Sequence, residues 1–219
     1  MTRPIRSHER HRALEQAQLY LLLSESACVR PLELTLEGAL RGGVDVVQIR
    51  EKSLIDEALL EHTRNVVRQV DGRALVMLND AADLIDAADV DGLHVGQEDL
   101  AGGEARERVG PNRLLGISTH DDREIALARP FADYLGFGAI FRSSTRSDVI
   151  ARGPAEAAHA QELAGSDLPV FAIGGIDASK IDDLVRVGIR RVAVCQAILG
   201  AEDAEGAARE LGERLRGQG

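Results

Sequence analysis

Short apolar runs recur along the chain, and between them lie longer stretches in which apolar residues return every three or four positions. The runs are rich in Val, Leu and Ile and bounded by turn residues, so they predict β-strands; the longer stretches predict amphipathic helices. Eight strands are expected, at 18–23, 44–50, 74–79, 92–95, 114–118, 134–137, 170–173 and 191–194. "SLIDEALLEHTRNVVRQV" typifies the segments between them. Ile55, Leu59, Val66 and Val70 fall on one face, and Ser53, with Asp56 three positions on, offers an N-cap. Gly42-Gly43, Gly72, Gly110, Gly165 and Gly188 stand where such helices should stop.

Alternation of strand and helix implies a parallel sheet with helices packed against it. Eight such units in about two hundred residues favour a closed (β/α)8 barrel, with an open doubly wound sheet as the alternative. No linker or change of composition interrupts the series, so residues 18–219 are expected to form one barrel domain behind a short, polar, mobile arm at 1–17. After the sixth strand, "GAIFRSSTRSDVIARG" runs on without an apolar period. In a compact barrel such a segment is expected to be a lid or binding loop.

Composition narrows the partners. Aromatic residues make up 3% of the chain and tryptophan is absent, so the interior must be built from Ala, Val, Leu and Ile, as suits parallel strands covered by helices. A formal net charge of −10 argues against nucleic acid or an anionic membrane surface, since both need a basic face. No apolar segment suits a signal peptide or a membrane span. Cys28 and Cys195 form no spaced pair, which points to reduced thiols and a cytoplasmic location. A homo-oligomer remains open.

In a (β/α)8 barrel the C-terminal strand ends and the loops after them carry the chemistry. The second strand ends in "VVQIREK". Gln48 and Arg50 alternate with Ile49, which turns the first two toward the axis and Ile49 toward the helices, with Lys52 at the mouth. The plainer alternative for the charged residues is a solvated loop. Asn79-Asp80 ends the third strand and, taken alone, reads as a helix cap; Asp99 follows the fourth. Neighbouring strands lie about 4.8 Å apart, so Asp80 and Asp99 are placed to share an ion. Oxygen ligands beside cations suggest Mg2+ bridging a polyphosphate. His94 and His120 are assigned no catalytic role, a lone histidine at a strand end being more often a hydrogen-bonded wall residue. Ser118 offers either a phosphate donor or a cap for the next helix. Gly174-Gly175 in "AIGGIDASK" lets backbone amides approach a ligand, with the positive end of the next helix behind them, and "VAVCQAILG" makes a second turn beside it. Loops after the seventh and eighth strands are the usual phosphate site of such barrels, although paired glycines also fit an ordinary tight turn.

Taken together, these segments resemble the thiamine phosphate synthase family, in the family's order and from the first strand to the eighth. "QIREK" looks like the family's QxREK, while "ND" and the last residue of "GQED" match its magnesium ligands; "GISTH", "AIGGI" and "VAVCQAI" continue the series. The resemblance implies a Mg2+-dependent transferase that joins a pyrimidine methyl diphosphate to a thiazole phosphate and releases diphosphate. It implies that Gln48, Ile49, Arg50, Glu51, Lys52, Asn79, Ser118 and Arg146 contact the pyrimidine diphosphate, Arg50, Lys52 and Arg146 being the catalytic cations. Ser143, Ser144, Thr145, Gly175, Cys195 and Gln196 would hold the thiazole phosphate, and Asp80 and Asp99 one Mg2+. The chain departs from the family where PTxTK is usual, reading Arg142, Ser143, Ser144, Thr145 and Arg146, and carries Ala139 and Gln196 where proline and serine are common. Two rivals share the barrel. A thiazole tautomerase is expected to carry a histidine in the loop after the sixth strand, which "GAIFRSSTR" lacks; a non-catalytic phosphate-ligand-binding barrel would bind without turnover.

Overall fold

The computed structural model describes residues 7–142 and 150–217. Strands β1 (Leu19–Leu23), β2 (Val46–Ile49), β3 (Leu75–Asn79), β4 (Gly92–Val95), β5 (Leu114–Thr119), β6 (Tyr134–Gly138), β7 (Val170–Ile173) and β8 (Val192–Val194) pair in parallel in chain order, and β8 pairs with β1. The sheet is therefore a closed (β/α)8 barrel, and the open doubly wound alternative is set aside.

Side-chain alternation divides the apolar residues into two layers. Tyr20, Val46, Leu75, Met77, Leu114, Tyr134 and Phe171 point inward and fill the barrel. Leu21, Val47, Ile49, Leu78, Leu93 and Leu135 point outward into a larger layer beneath the helices. The helices are α1 (Ser7–Gln16), α2 (Leu32–Arg41), α3 (Asp56–Val70), α4 (Ile85–Ala88), α5 (Gly102–Val109), α6 (Asp122–Ala128), α7 (Pro154–Ala164), α8 (Ile181–Arg186), α9 (Gln196–Leu199) and α10 (Ala204–Arg216). No helix among the described residues is long and apolar enough to cross a membrane.

Two local expectations need correction. In α3, Leu59, Val66 and Val70 are buried with Thr63, but Ile55 is 72% exposed and occupies the extended N-cap position, where no side chain caps the helix. The helix begins at Asp56, three residues past Ser53, so the Ser53 hydroxyl has no first turn to cap. The segment read as a mobile arm is, from Ser7 onward, the docked helix α1. Its Leu14 joins the interior cluster with Tyr20, Val46 and Leu75. Arg10, also buried, donates from Nε to Asp91 Oδ1 at 2.8 Å and from Nη1 to the Asn112 carbonyl at 3.0 Å. This helix closes the N-terminal end of the barrel.

Three aspartates at that end clasp the sheet. Asp45, Asp91 and Asp133 each precede an even-numbered strand, and each accepts a backbone amide at the start of the odd strand beside it: Leu19 at 2.9 Å, Val76 at 2.9 Å and Leu115 at 2.7 Å. Carboxylates placed there satisfy strand-start donors that no ladder reaches. With the floor sealed, the opposite end is left for ligands. Leu14→Ala is expected to lower unfolding free energy by roughly 2 to 5 kcal/mol, as buried leucine truncations do. Denaturant titration checks this, and an arm that merely trails in solvent would give no change.

Candidate active site

The C-terminal ends of the strands surround a cavity of about 530 Å3. Its lower wall is set by the inward positions of each strand. Register places Leu22 beside Gln48, Asn79 beside His94, and Ser118 beside Gly136, so these residues form the layer above the packed interior. Gln48 is 3% exposed, lines the cavity, and its Nε2 has no hydrogen-bond partner among the described residues. A buried amide donor without a partner is costly in an unliganded protein and marks where a ligand atom belongs.

Of the charged residues that end "QIREK", two face the mouth and one does not. The Arg50 amide donates to Leu23 O at 2.9 Å, which fixes its backbone against β1. Its guanidinium lines the cavity, as does the exposed Lys52, and neither side chain has a hydrogen-bonding or ion-pairing partner among the described residues. Glu51 turns away: its carboxylate is buried, accepts the Glu25 amide, and lies 4.0 Å from His62. Ile49 is buried in the outer layer. Neither of these two side chains lines the cavity, unlike Gln48, Arg50 and Lys52. Strand alternation turns Ile49 toward the helices, and Glu51 instead pins the loop Ser24–Ala27, whose Ser24, Ser26 and Ala27 do line the cavity.

Asp80 and Asp99 come together. Asp99 accepts the Gly96 amide at 2.8 Å, which folds its loop back over the end of β4. Asp80 adopts a left-handed backbone, φ 62°, with its amide held by His94 O at 2.9 Å, and Asn79 Nδ2 donates to its carboxylate. A short 3-10 turn, Ala82–Leu84, follows without a side-chain cap, so the simple cap reading of Asn79-Asp80 does not hold. The proton affinity of Asp80 is pushed up to about 6, first by burial and then by the hydrogen bond and negative charge of Asp99, against the pull of Arg50 and Asn79. A neighbouring carboxylate and burial both disfavour the charged form of Asp80. A divalent cation can offset that charge, and hard oxygen donors suit it. Among the described residues no third His, Cys, Asp or Glu completes a cluster, which fits an ion such as Mg2+ that keeps most of its water.

Ser118 is not a helix cap; Asp121 caps α6 by accepting the Glu124 amide. Ser118 Oγ instead lies 2.9 Å from His94 Nε2. His94 meets Tyr134 Oη through its other nitrogen at 3.1 Å, and burial lowers its proton affinity to about 4, so it stands neutral in the wall. His120 lines the cavity and is held by Glu124 at 2.8 Å.

On the far wall, Gly174 and Gly175 have φ of 101° and 64°. A Cβ on Gly175 would lie 2.4 Å from Arg142 O, so close passage of the preceding loop by itself demands glycine there. The next helix, α8, begins only at Ile181. The expectation that its positive end stands directly behind the glycines is corrected: Lys180 fills that place, donating from Nζ to Gly175 O and Asp177 Oδ2, both at 2.6 Å. Cys195 and Gln196 line the cavity where β8 passes into α9, the Gln196 side-chain oxygen lying against Gly200. Ser143, Ser144, Thr145 and Arg146 lie outside the described residues. The inward parity of Tyr20, His94 and Tyr134 on their strands was the available sign that polar groups line the barrel above its floor.

Comparison with known proteins agrees with this geometry. Residues 19–198 match the model of the family described as thiamine monophosphate synthase. A thiamine-phosphate synthase of a Nostoc species is 39% identical over 199 residues, covering 89% of this chain and 55% of the relative. That of Mycobacterium leprae is 38% identical over 213 residues and covers 90% of both chains. The chain thus spans about half the length of the cyanobacterial relative and most of the mycobacterial one. The structure of a thiamine phosphate pyrophosphorylase from Pyrococcus furiosus superposes with a TM-score of 0.81 at 28% identity, covering 92% of this chain and 96% of that one. Barrel, order of motifs and extent of the match agree, and the chain belongs to the thiamine monophosphate synthase family.

Proposed function

We propose that this protein joins 4-amino-2-methyl-5-(diphosphooxymethyl)pyrimidine to a thiazole phosphate, releasing diphosphate, with Mg2+ held by Asp80 and Asp99. One observation carries the reading: among the described residues, Arg50 lines the mouth without a hydrogen-bonding or ion-pairing partner, Gln48 Nε2 is buried there without one, and the carboxylates of Asp80 and Asp99 stand beside each other within reach of the Arg50 charge. When bound, the Mg2+ would neutralise charge on the diphosphate oxygens. Arg50 and Lys52 meet the anion as its bond to the pyrimidine methylene lengthens, and such preorganised charge is worth most where water is excluded. Gln48 donates to the pyrimidine and fixes which face it presents. Met77, the register partner of Gln48 on β3, and Val46, two residues before it on β2, are both buried and keep the floor dry. Dryness protects the methylene cation from water until the thiazole nitrogen attacks it. No strong protein base is needed, which accords with a neutral His94. Gly175 and the Cys195-Gln196 turn take the thiazole phosphate. Both cysteines are free thiols, in keeping with a reducing cytoplasm, where we place the reaction.

Incubating purified protein with both substrates tests the reading. Thiamine phosphate and diphosphate are expected to appear together, only when both substrates and Mg2+ are present. Isomerisation of the thiazole alone would make the protein a tautomerase, and ligand binding without product would make it a sensor.

A further inference from the structure

A line of polar groups runs through the interior from the middle of the barrel to the cavity. Tyr20 Oη lies 2.8 Å from Tyr134 Oη, Tyr134 Oη 3.1 Å from His94 Nδ1, and His94 Nε2 2.9 Å from Ser118 Oγ. Both tyrosines are buried, surrounded by Val46, Phe171 and other apolar side chains. The barrel makes room for this line with a strand glycine: a Cβ on Gly116 would lie 2.1 Å from Tyr134 Cζ and 2.5 Å from His94 Nδ1. Glycine inside a strand marks close approach of this kind.

The protons along the line can run in two directions. In one, Tyr20 donates to Tyr134, Tyr134 donates to Nδ1 of His94, and Nε2–H donates to Ser118, whose own proton is left for the cavity. In the other, Ser118 donates to Nε2, Nδ1–H donates to Tyr134, Tyr134 donates to Tyr20, and the Tyr20 proton is left without an acceptor. Tyr20 Oη has no hydrogen-bond partner but Tyr134 among the described residues. The second direction therefore strands a donor in an apolar interior, and the first strands none. With Nδ1 accepting from Tyr134, the ring proton of His94 stands on Nε2, since an Nδ1–H in either a neutral or a charged ring would strand a tyrosine proton in the interior.

We propose that Tyr134 and His94 are positioning residues that fix His94 as the Nε2–H tautomer, so that the Ser118 hydroxyl can only donate into the cavity. A serine so held presents a hydrogen, not lone pairs, to whatever lies before it, which suits an anionic phosphate oxygen. The inference rests on the proposed function only for the identity of that phosphate.

Two measurements decide it. Long-range proton–nitrogen correlation spectra of protein labelled at histidine nitrogen, with His94 assigned by its loss in His94→Gln, report the tautomer directly and need no substrate. The Nε2–H form is expected; the Nδ1–H form would overturn the proposal. Calorimetric titration with inorganic diphosphate in the presence of Mg2+ then compares the unaltered protein with Ser118→Ala, Tyr134→Phe and the double variant. Each single change is expected to weaken binding about tenfold, and the double change no further, as for residues acting through one contact. Additive losses, or unaltered binding by Tyr134→Phe, would overturn it. A protein that shows the expected tautomer and non-additive losses yet makes no thiamine phosphate would overturn the enzymatic reading and leave this one standing.

Discussion

Arg50→Ala is expected to lower kcat by roughly two orders of magnitude or more, the usual cost of removing one preorganised charge from a developing anion. Arg50 lines the cavity without a hydrogen-bonding or ion-pairing partner among the described residues, so its charge is not spent on holding that part of the fold. Its influence on the site is visible in its neighbours, because it holds down the proton affinity of both Asp80 and His94. Removing it should leave thermal stability nearly unchanged, which separates a chemical loss from unfolding. Arg50→Lys is expected to recover part of the rate, since the charge returns without the planar fork that grips two phosphate oxygens. Steady-state kinetics with saturating Mg2+ and both substrates give the comparison, and an unchanged kcat in Arg50→Ala would remove this residue from the mechanism.

The strands were legible in the sequence because each is a short apolar run whose burial on both faces leaves little choice of conformation. β4 and β7 fall at their expected bounds, and β2 occupies Val46–Ile49 within the expected 44–50. Parity then placed Gln48 inward and Ile49 outward. What escaped depended on partners far along the chain. Helix α1 looks too polar to dock, and it docks through Leu14 and through an arginine whose carboxylate, Asp91, lies 81 residues away. Glu51 stands between two cavity-lining cations and looks like a third mouth residue, but its carboxylate reaches an amide 26 residues back in the chain. Local pattern carries no record of such pairings. The line from Tyr20 to Ser118 escaped for a similar reason: three separate strands contribute Tyr20, His94 and Tyr134, and only closure of the barrel brings them into contact.

Asp80→Asn sets function against stability in opposite directions. In the protein without metal, Asp80 binds its proton more tightly than an ordinary aspartate, first because it is partly buried and then because Asp99 lies beside it. A carboxyl group whose proton affinity is raised by folding favours the folded state while protonated. That contribution is lost as pH rises through about 6, where the negative charges must face one another. The metal-free protein should therefore melt at a lower temperature at about pH 8 than at about pH 5.5, as far as this pair is concerned. Asparagine keeps an oxygen that can accept from Asn79 and removes the charge, so Asp80→Asn is expected to melt a few degrees higher than the unaltered protein at the upper pH, with the gap narrowing at the lower one. Mg2+ should raise the melting temperature of the unaltered protein at the upper pH by offsetting the two facing charges, and do little for the variant. Activity should move the other way, with kcat reduced at least about a hundredfold as the ion loses one of its two proposed carboxylate anchors. Melting curves at both pH values, with and without Mg2+, test all of this without any substrate. Equal stabilisation of both proteins by Mg2+ would place the ion elsewhere, and a variant no more stable than its parent would mean that the two carboxylates do not strain the fold.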